Sequence, residues 1–340
     1  MAQVRLGKTE IVTDKNGFGA LPIQRISYDE AEKIILKAYD SGITFFDTAR
    51  GYTDSEEKLG KALKGKRENV YIASKTMAAT ADKLKEDLET TLTNLKTDYL
   101  DLYQLHNPEF CPKPDDGSGL YEAMLEAKEQ GKIRHIGITN HRMPVAKEAV
   151  ESGLYETLQF PFSYLSGDAD QALVDACKKA DMGFIAMKAM SGGLITRADA
   201  AWAFLNGFDT VLPIWGIQKM SELDDFLACS ANPPVMDDEM KVFIESERKE
   251  LAGDFCRGCG YCMPCPQDIA ISDCARMSLL IRRAPVDIYM NEEFQAEMQK
   301  VKNCISCGQC SSRCPYGLDT PSLLKKNLED YEEMLVKLGR

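Results

Sequence analysis

Two runs of cysteines in the carboxyl-terminal part of the chain are the residues whose spacing most directly indicates chemistry. The first run consists of Cys256, Cys259, Cys262 and Cys265, and the second of Cys304, Cys307, Cys310 and Cys314. A proline follows each run directly. Thiolates at this density are soft ligands that bind iron–sulfur clusters or zinc. The sequence therefore predicts a metal-binding region near its end.

The spacing within the runs favours [4Fe–4S] clusters over zinc. The second run reads C-x2-C-x2-C-x3-C-P, the spacing of cluster ligands in bacterial ferredoxins, in which the fourth cysteine binds the other cluster. Structural zinc sites usually use cysteine pairs that a longer span separates. We expect two clusters with crossed ligands, one on Cys256, Cys259, Cys262 and Cys314 and the other on Cys304, Cys307, Cys310 and Cys265. Zinc, or one cluster with leftover thiols, stays open as an alternative.

Composition sets the compartment and excludes several classes of partner. No apolar run approaches the roughly 18 residues of a membrane span, and the amino terminus has no secretory signal. A reducing, cytoplasmic location is expected, so the cysteines are not predicted to form disulfides. The chain of 340 residues has a net charge of −12 and no basic stripe. Nucleic acid and membranes are therefore not expected as partners.

The first 240 residues alternate between short apolar runs and helical patterns. Strands are predicted at 17–21, 43–46, 70–74, 99–105, 134–138, 157–160, 183–187 and 210–214. Helices are predicted between them, the clearest beginning at Ser27 with a capping box to Glu30. Eight strands with eight helices in this length are typical of a (β/α)8 TIM barrel. A doubly wound sheet is the alternative, but the chain lacks a complete glycine-rich dinucleotide fingerprint near its start.

The predicted architecture is an α/β TIM barrel at 1–235, followed by a small α-helical ferredoxin-like domain at 236–340. Helices are expected at Ser272–Arg283 and Asn291–Lys302, between and beside the cysteine runs. A segment from Val4 to Val12 precedes the first barrel strand and is expected to form a hairpin.

Polar residues stand where three consecutive barrel strands end. Asp47 follows the second strand, with Tyr52 just beyond it, Lys75 ends the third strand and His106 ends the fourth. Residues at the carboxyl ends of barrel strands are the catalytic candidates of this fold. Each residue also has a purely structural interpretation when it is taken singly. Asp47 could be a cap, Lys75 could be a solvated lysine, and His106 could be a histidine of the core.

The four residues, together with the following Ser55-Glu56 and Gly60, resemble the aldo/keto reductase family over about residues 4–230. The resemblance implies a catalytic tetrad of Asp47, Tyr52, Lys75 and His106, which reduces a carbonyl or oxidises an alcohol. Tyr52 would supply the proton, with Lys75 lowering its pKa and Asp47 holding Lys75. His106, neutral, would orient the substrate oxygen.

The resemblance also implies a nicotinamide cofactor, NADP(H) or NAD(H). Its contacts are expected at the ends of the later strands, at Thr139, Asn140, Gln159, Lys188, Gly216 and Lys219. No basic pair for a 2′-phosphate is evident beyond Lys219, so little discrimination between NADPH and NADH is predicted.

The leading functional hypothesis is an oxidoreductase that combines this barrel with electron transfer through the clusters. Its partners would be a small carbonyl or alcohol substrate and a ferredoxin or another electron-transfer protein. Two alternatives remain at this stage. The barrel could bind or isomerise a sugar-like substrate while the clusters serve structure or sensing, or the chain could be an electron carrier with an idle barrel.

Overall fold

The computed structural model describes residues 3–251, 255–283 and 289–339. The chain divides into two compact units. The first comprises Met1–Ala189 and Arg197–Ile244, and the second comprises Met190–Thr196 and Glu245–Arg340. The sequence predicts a domain boundary at 235/236, which stays a prediction. In the structure the first unit continues to Ile244, and the second unit includes a short segment from inside the barrel sequence.

The first unit begins with the expected hairpin. Strands β1 (Gln3–Arg5) and β2 (Val12–Asp14) pair in antiparallel fashion. Val4, Leu6 and Ile11 from this hairpin are buried in the same apolar cluster as barrel residues such as Phe45 and Leu102. The hairpin thus contributes to the core inside the barrel.

Eight parallel strands form a closed barrel, as predicted. They are β3 (Gly17–Gly19), β4 (Phe45–Asp47), β5 (Tyr71–Thr76), β6 (Leu100–His106), β7 (Ile133–Thr139), β8 (Thr157–Pro161), β9 (Gly183–Met187) and β10 (Val211–Gly216). Each strand pairs with the next in the sequence, and β10 closes on β3. Since all strands run in one direction, their carboxyl ends meet at one end of the barrel.

Helices follow the strands around the barrel. They are α1 (Tyr28–Asp40), α2 (Ser55–Ala62), α3 (Ala81–Leu95), α4 (Leu120–Glu129), α5 (Met143–Ser152), α6 (Asp168–Lys179), α7 (Ala198–Asn206) and α8 (Met220–Ala231). The capping box at Ser27 forms as expected: the hydroxyl accepts from Glu30 N and the Glu30 carboxylate accepts from Ser27 N. The two reciprocal bonds satisfy backbone donors that the first helical turn leaves open.

The second unit is helical in its described residues. After α9 (Asp238–Glu250), in which the units divide, come α10 (Ile271–Cys274), α11 (Met277–Arg283), α12 (Glu292–Gln299), α13 (Gln309–Ser312) and α14 (Thr320–Leu338). Its core includes Met277, Met298 and Tyr331 together with Cys262 and Cys310. The helix expected at Ser272–Arg283 is two helices, because a turn at Ala275 and Arg276 separates α10 from α11. None of the helices in the described residues is long and apolar enough to cross a membrane.

Candidate active site and cluster region

A buried ion pair lies where β4 and β5 end. Lys75 Nζ is 2.7 Å from Asp47 Oδ1 and donates a second hydrogen bond to the backbone oxygen of Thr48 at 2.6 Å. Asp47 and Lys75 are 2% and 1% exposed. The alternative of a solvated Lys75 is therefore wrong, because the ammonium is enclosed and partnered.

The loop after β4 is fixed to β5 by backbone hydrogen bonds. Thr48 N donates to Ala73 O and Arg50 N donates to Lys75 O, both at 2.9 Å. Tyr52 N then donates to Ala49 O at 3.0 Å and closes a turn. These bonds place the Tyr52 ring beside strand ends that are far away in the sequence.

Tyr52 and His106 meet above the buried pair. Their ring centroids are 5.8 Å apart, with the planes at 84°. Lys75 Nζ lies 5.2 Å from the centroid of the Tyr52 ring. Both rings are partly exposed, whereas Asp47 and Lys75 are not. The structure thus brings all four predicted residues together, with the phenol and the imidazole facing outward.

Burial dominates the proton equilibria of the four side chains. Burial raises the pKa of Asp47, and the charge of Lys75 opposes this rise. Burial lowers the pKa of Lys75, and the charge of Asp47 opposes this fall. The pKa of His106 falls to about 3, first through burial and then through the charge of Lys75. His106 is therefore neutral at physiological pH, as the sequence predicted.

The expected lowering of the Tyr52 pKa is wrong in direction. Burial raises the pKa of Tyr52, and the charge of Asp47 raises it further. Lys75 does not lower this pKa as expected, because its ammonium bonds Asp47 and Thr48 O and faces the ring of Tyr52. Tyr52 consequently stays protonated at neutral pH.

Gln104 and Gln159 form a pair beside Asp47. The sequence predicted Gln159 only as a nucleotide contact and did not predict Gln104 as a site residue. Gln104 Nε2 donates to Gln159 Oε1 at 2.9 Å, and both residues are buried. Their amides favour the charged form of Asp47. Gln104 stands two residues before His106 in β6, so the period of two places both on one face of the strand. A polar residue at that position, between Leu102 and His106 near the carboxyl end of the strand, was the available signal.

The predicted nucleotide contacts stand at the same end of the barrel, at the ends of β7, β8, β9 and β10. Thr139 is paired in register with Gln159, and its buried hydroxyl has no hydrogen-bond partner among the described residues. Asn140 is differently placed: its amide donates to Pro108 O at 2.9 Å and its carbonyl accepts from Arg142 N at 2.8 Å. Asn140 therefore holds the turn after β7.

An acidic side chain fills the amino terminus of α8. Glu222 Oε2 accepts from Gln218 N at 2.7 Å and from Lys219 N at 2.9 Å. Lys219 is exposed, and Gly216 ends β10 just before it. Helix amino termini are common sites for phosphate groups because their N–H groups are free. Here the carboxylate already occupies two of the donors.

Five of the eight cysteines in the two runs line one cavity in the second unit. They are Cys262, Cys265, Cys304, Cys307 and Cys310. The last four are the ligands expected for one of the two clusters, whereas Cys262 is expected to bind the other. The backbone N–H of Gln267 donates to Cys265 Sγ at 3.4 Å, and N–H bonds to sulfur are one way in which proteins tune cluster potentials.

Cys259 and Cys314 share a neighbour. The pKa of Tyr316 is raised first by burial, and the charges of Cys259 and Cys314 add to the effect. The pKa of Cys262 is likewise raised by burial and by the charges of Cys256, Cys259 and Cys310. Among the residues described, no three His, Cys, Asp or Glu side chains converge to hold a single metal ion. A cubic cluster takes its thiolates from around a larger volume, so a cysteine-lined cavity fits a cluster better than zinc.

Comparison with known proteins identifies both parts of the chain. Residues 15–203, more than half of it, match the model of the aldo/keto reductase family. The chain belongs to the aldo/keto reductase family. Residues 255–319 match the model described as a 4Fe-4S dicluster domain. The predicted barrel and the predicted iron–sulfur region are thereby confirmed.

Individual relatives agree with this assignment. The chain is 30% identical over 215 residues to Aldo-keto reductase YhdN of Bacillus subtilis, which covers 58% of this chain and 64% of that protein. The chain thus spans somewhat less than two thirds of the length of that relative. An aldo-keto reductase from Bacillus halodurans in its holo form superposes with a TM-score of 0.64 at 22% identity, covering 73% of this chain and 96% of the other. A Klebsiella pneumoniae aldo/keto reductase in complex with NADP and acetate superposes with a TM-score of 0.61 at 22% identity, covering 72% and 94%.

Proposed function

We propose that the barrel reduces a small carbonyl compound, or oxidises the corresponding alcohol, with NADP(H) or NAD(H). The observation that carries this proposal is the Tyr52–His106 ring pair, which is partly exposed above the buried Asp47–Lys75 pair. Such an arrangement presents a proton donor and a neutral imidazole to a substrate oxygen. The Klebsiella pneumoniae aldo/keto reductase of the same fold is in complex with NADP, which supports a nicotinamide cofactor here.

The residues of the chain supply every part of the reaction except the hydride, which the reduced nicotinamide would provide. Tyr52, protonated at neutral pH, donates its proton to the substrate oxygen. His106 is neutral and hydrogen-bonds the same oxygen, which orients the carbonyl. Lys75, whose Nζ lies 5.2 Å from the centroid of the Tyr52 ring, helps to position that ring, and Asp47 keeps Lys75 in place. In the alcohol direction the same proton returns to Tyr52.

We further propose that the second unit holds two [4Fe–4S] clusters with crossed ligands. Cys304, Cys307, Cys310 and Cys265 would bind one cluster, and their place around one cavity, which Cys262 also lines, supports a site that draws on both runs. Cys256, Cys259, Cys262 and Cys314 would bind the other. With clusters bound, these cysteines would let the second unit exchange single electrons with a ferredoxin or another electron-transfer protein, whereas hydride transfer in the barrel would move two electrons together.

A deuterium-transfer experiment tests the barrel reaction. Protein purified without oxygen is incubated with deuterium-labelled NADPH or NADH and a panel of small aldehydes and ketones. Deuterium on the carbinol carbon of a product would establish hydride transfer from the cofactor. Absence of label in every product, with the clusters intact, would contradict the proposal and favour a barrel that only binds or isomerises its substrate.

A further inference from the structure

Arg276 lies against the first cysteine run inside the second unit. Gly258 stands between Cys256 and Cys259 in that run. A Cβ built at Gly258 would lie 2.7 Å from Arg276 Nη1 and 2.9 Å from Arg276 Cζ. Gly258 has a left-handed φ of +62°, and its backbone N–H donates to Cys256 Sγ at 3.4 Å. The guanidinium therefore occupies the space beside the cysteine loop that a larger residue at 258 would fill.

The guanidinium is enclosed and held in place. The Arg276 side chain is 15% exposed, and its Nη1 donates a hydrogen bond at 2.6 Å to the backbone oxygen of Gly192, which belongs to the same unit. Its Nε is buried and has no hydrogen-bond partner among the described residues. Asp273 Oδ1 lies 3.4 Å from Nη2, on a side chain that is 48% exposed. Because solvent screens Asp273 more than the enclosed guanidinium, a positive charge remains at the cysteine loop.

The cavity of the second cysteine run has surroundings of a different kind. Besides the cysteines, it is lined by apolar and uncharged residues, among them Ile269, Ile271, Ile305 and Leu324. No lysine, arginine, histidine, aspartate or glutamate is among the described residues that line it. Cys307 is exposed, so one edge of this ligand set reaches solvent. Apolar walls oppose the addition of negative charge, because burying a charge without a partner costs free energy.

We propose that Arg276 raises the reduction potential of the cluster on the first cysteine run and makes it the site where the first electron taken up by the second unit resides. This role rests on the proposed function, because it needs both clusters. It holds for crossed and for uncrossed ligands, since Cys256 and Cys259 bind this cluster in either case. One-electron reduction adds one negative charge to a cluster, and no bond forms or breaks. A nearby guanidinium stabilises that charge, and local charge is one of the factors that set cluster potentials.

The two ligand sets then have different tasks. The set with Cys307 at the surface is the one that a reductant, such as an electron-transfer protein, can approach. Cys262 lines the cavity of that set although we expect it to bind the other cluster, so the two sets are neighbours. An electron that enters at the exposed edge would pass to the cluster of higher potential beside Arg276. The charge of Arg276 would therefore set the direction of electron transfer within the second unit.

A redox titration of the intact chain, purified without oxygen and followed by electron paramagnetic resonance, tests this role. Dithionite is the reductant, and two one-electron steps are expected, with iron analysis showing that both clusters are present. Arg276→Gln removes the charge and should lower the higher potential at least about fivefold in the equilibrium constant for reduction, or about 40 mV at 59 mV for each tenfold. Arg276→Lys keeps the charge and should change it less than about twofold. The lower potential should stay within about twofold in both variants.

Matched variants assign each potential to its cluster. Arg282→Gln removes one positive charge from the same unit, at a side chain that pairs with Asp330, and should shift neither potential more than about twofold. Ile305→Lys adds a positive charge at the cavity of the second run, where Ile305 is 62% exposed, and should raise the lower potential alone. If Arg276→Gln and Ile305→Lys shift the same potential, the proposal is overturned.

A variant of opposite sign covers the case in which Arg276→Gln loses its clusters. Asp273→Asn removes the negative charge beside Nη2 and should raise the higher potential. Unchanged potentials in Arg276→Gln, or in Asp273→Asn where the first variant holds no clusters, would overturn the role of Arg276 and leave the proposed clusters standing. Equal shifts in Arg276→Lys and Arg276→Gln would show that packing rather than charge is responsible and would overturn it as well. A wild type with zinc or a single cluster would overturn this role together with the cluster part of the proposed function.

Discussion

Lys75 Nζ and Asp47 Oδ1 are 2.7 Å apart in a position that solvent scarcely reaches. Neither group has another opposite charge in hydrogen-bonding contact among the described residues. Because burial penalises each charge alone, the pair is stable only as a unit. In the proposed reaction the site would therefore separate two tasks: the buried pair would fix the electrostatics, and the partly exposed Tyr52 and His106 would face the substrate.

A stability cycle tests this interdependence. Lys75→Met leaves the Asp47 carboxylate buried without its partner and should cost about 3–5 kcal/mol of unfolding free energy. Asp47→Asn should cost a similar amount. The double variant should cost clearly less than the sum of the two, as measured by denaturant unfolding of each protein. Additive losses would mean that the two side chains act independently.

The role of Tyr52 is tested by removing its hydroxyl alone. Tyr52→Phe should lower kcat for carbonyl reduction by about 10²–10⁴-fold, the usual contribution of a general acid. The dissociation constant for the nucleotide should scarcely change. Tyr71→Phe is a suitable control, because Tyr71 begins β5 at the opposite end of the strand from Lys75. Nearly full activity in Tyr52→Phe would refute the proposed proton donor.

The sequence predicted where the four residues lie and that His106 is neutral, but not the direction in which the Tyr52 pKa shifts. Strand ends can be read from apolar runs, because a closed parallel barrel leaves little freedom in where strands begin and end. The pKa of Tyr52 is raised by burial of the phenol and by the charge of Asp47. Spacing alone carries no information on such three-dimensional contacts.

The second unit was less predictable for a related reason. The cysteine spacing indicated the ligand sets, since cluster ligation imposes short fixed intervals. The inclusion of Met190–Thr196 in that unit depends on the burial of Leu194 and on Arg276, which are far apart in the sequence. No local pattern in the sequence marks a loop that belongs to a different unit from the residues on either side of it.

The low pKa of His106 predicts how stability depends on pH. Its pKa is about 3 in the folded protein and about 6.5 in the unfolded chain, so the unfolded state binds the proton first as pH falls. The contribution is fully present above pH 6.5 and is lost as pH decreases toward 3, by up to about 1.4 kcal/mol per pH unit. His106→Gln should flatten the pH dependence between pH 7 and 5 in denaturant unfolding. An unchanged slope would show that His106 is not the responsible group.

We expect the preference between NADPH and NADH to depend on Glu222. Its carboxylate accepts from Gln218 N and Lys219 N and places a negative charge at the start of α8. We expect wild-type dissociation constants for NADPH and NADH that differ by less than about tenfold, or 1.4 kcal/mol. Glu222→Ala frees both donors and should strengthen NADPH binding several-fold more than NADH binding. Glu239→Ala, on α9, is a control for the loss of one negative charge. A strong preference for NADPH in the wild type would contradict this account.

Crossed ligation can be tested by removing one cysteine ligand and identifying which other cysteine thiols become free. Protein purified without oxygen should carry about eight iron atoms per chain if both clusters are present. Cys314→Ala should reduce this to about four, and alkylation with mass-spectrometric mapping should then label Cys256, Cys259 and Cys262. Labelling of Cys304, Cys307 and Cys310 instead would show that each run binds its own cluster. Cys274→Ala is the matched control, because Cys274 is buried in the same unit outside both runs and its loss should leave the iron content unchanged. Zinc as the dominant metal in the wild type would remove the basis for electron transfer altogether.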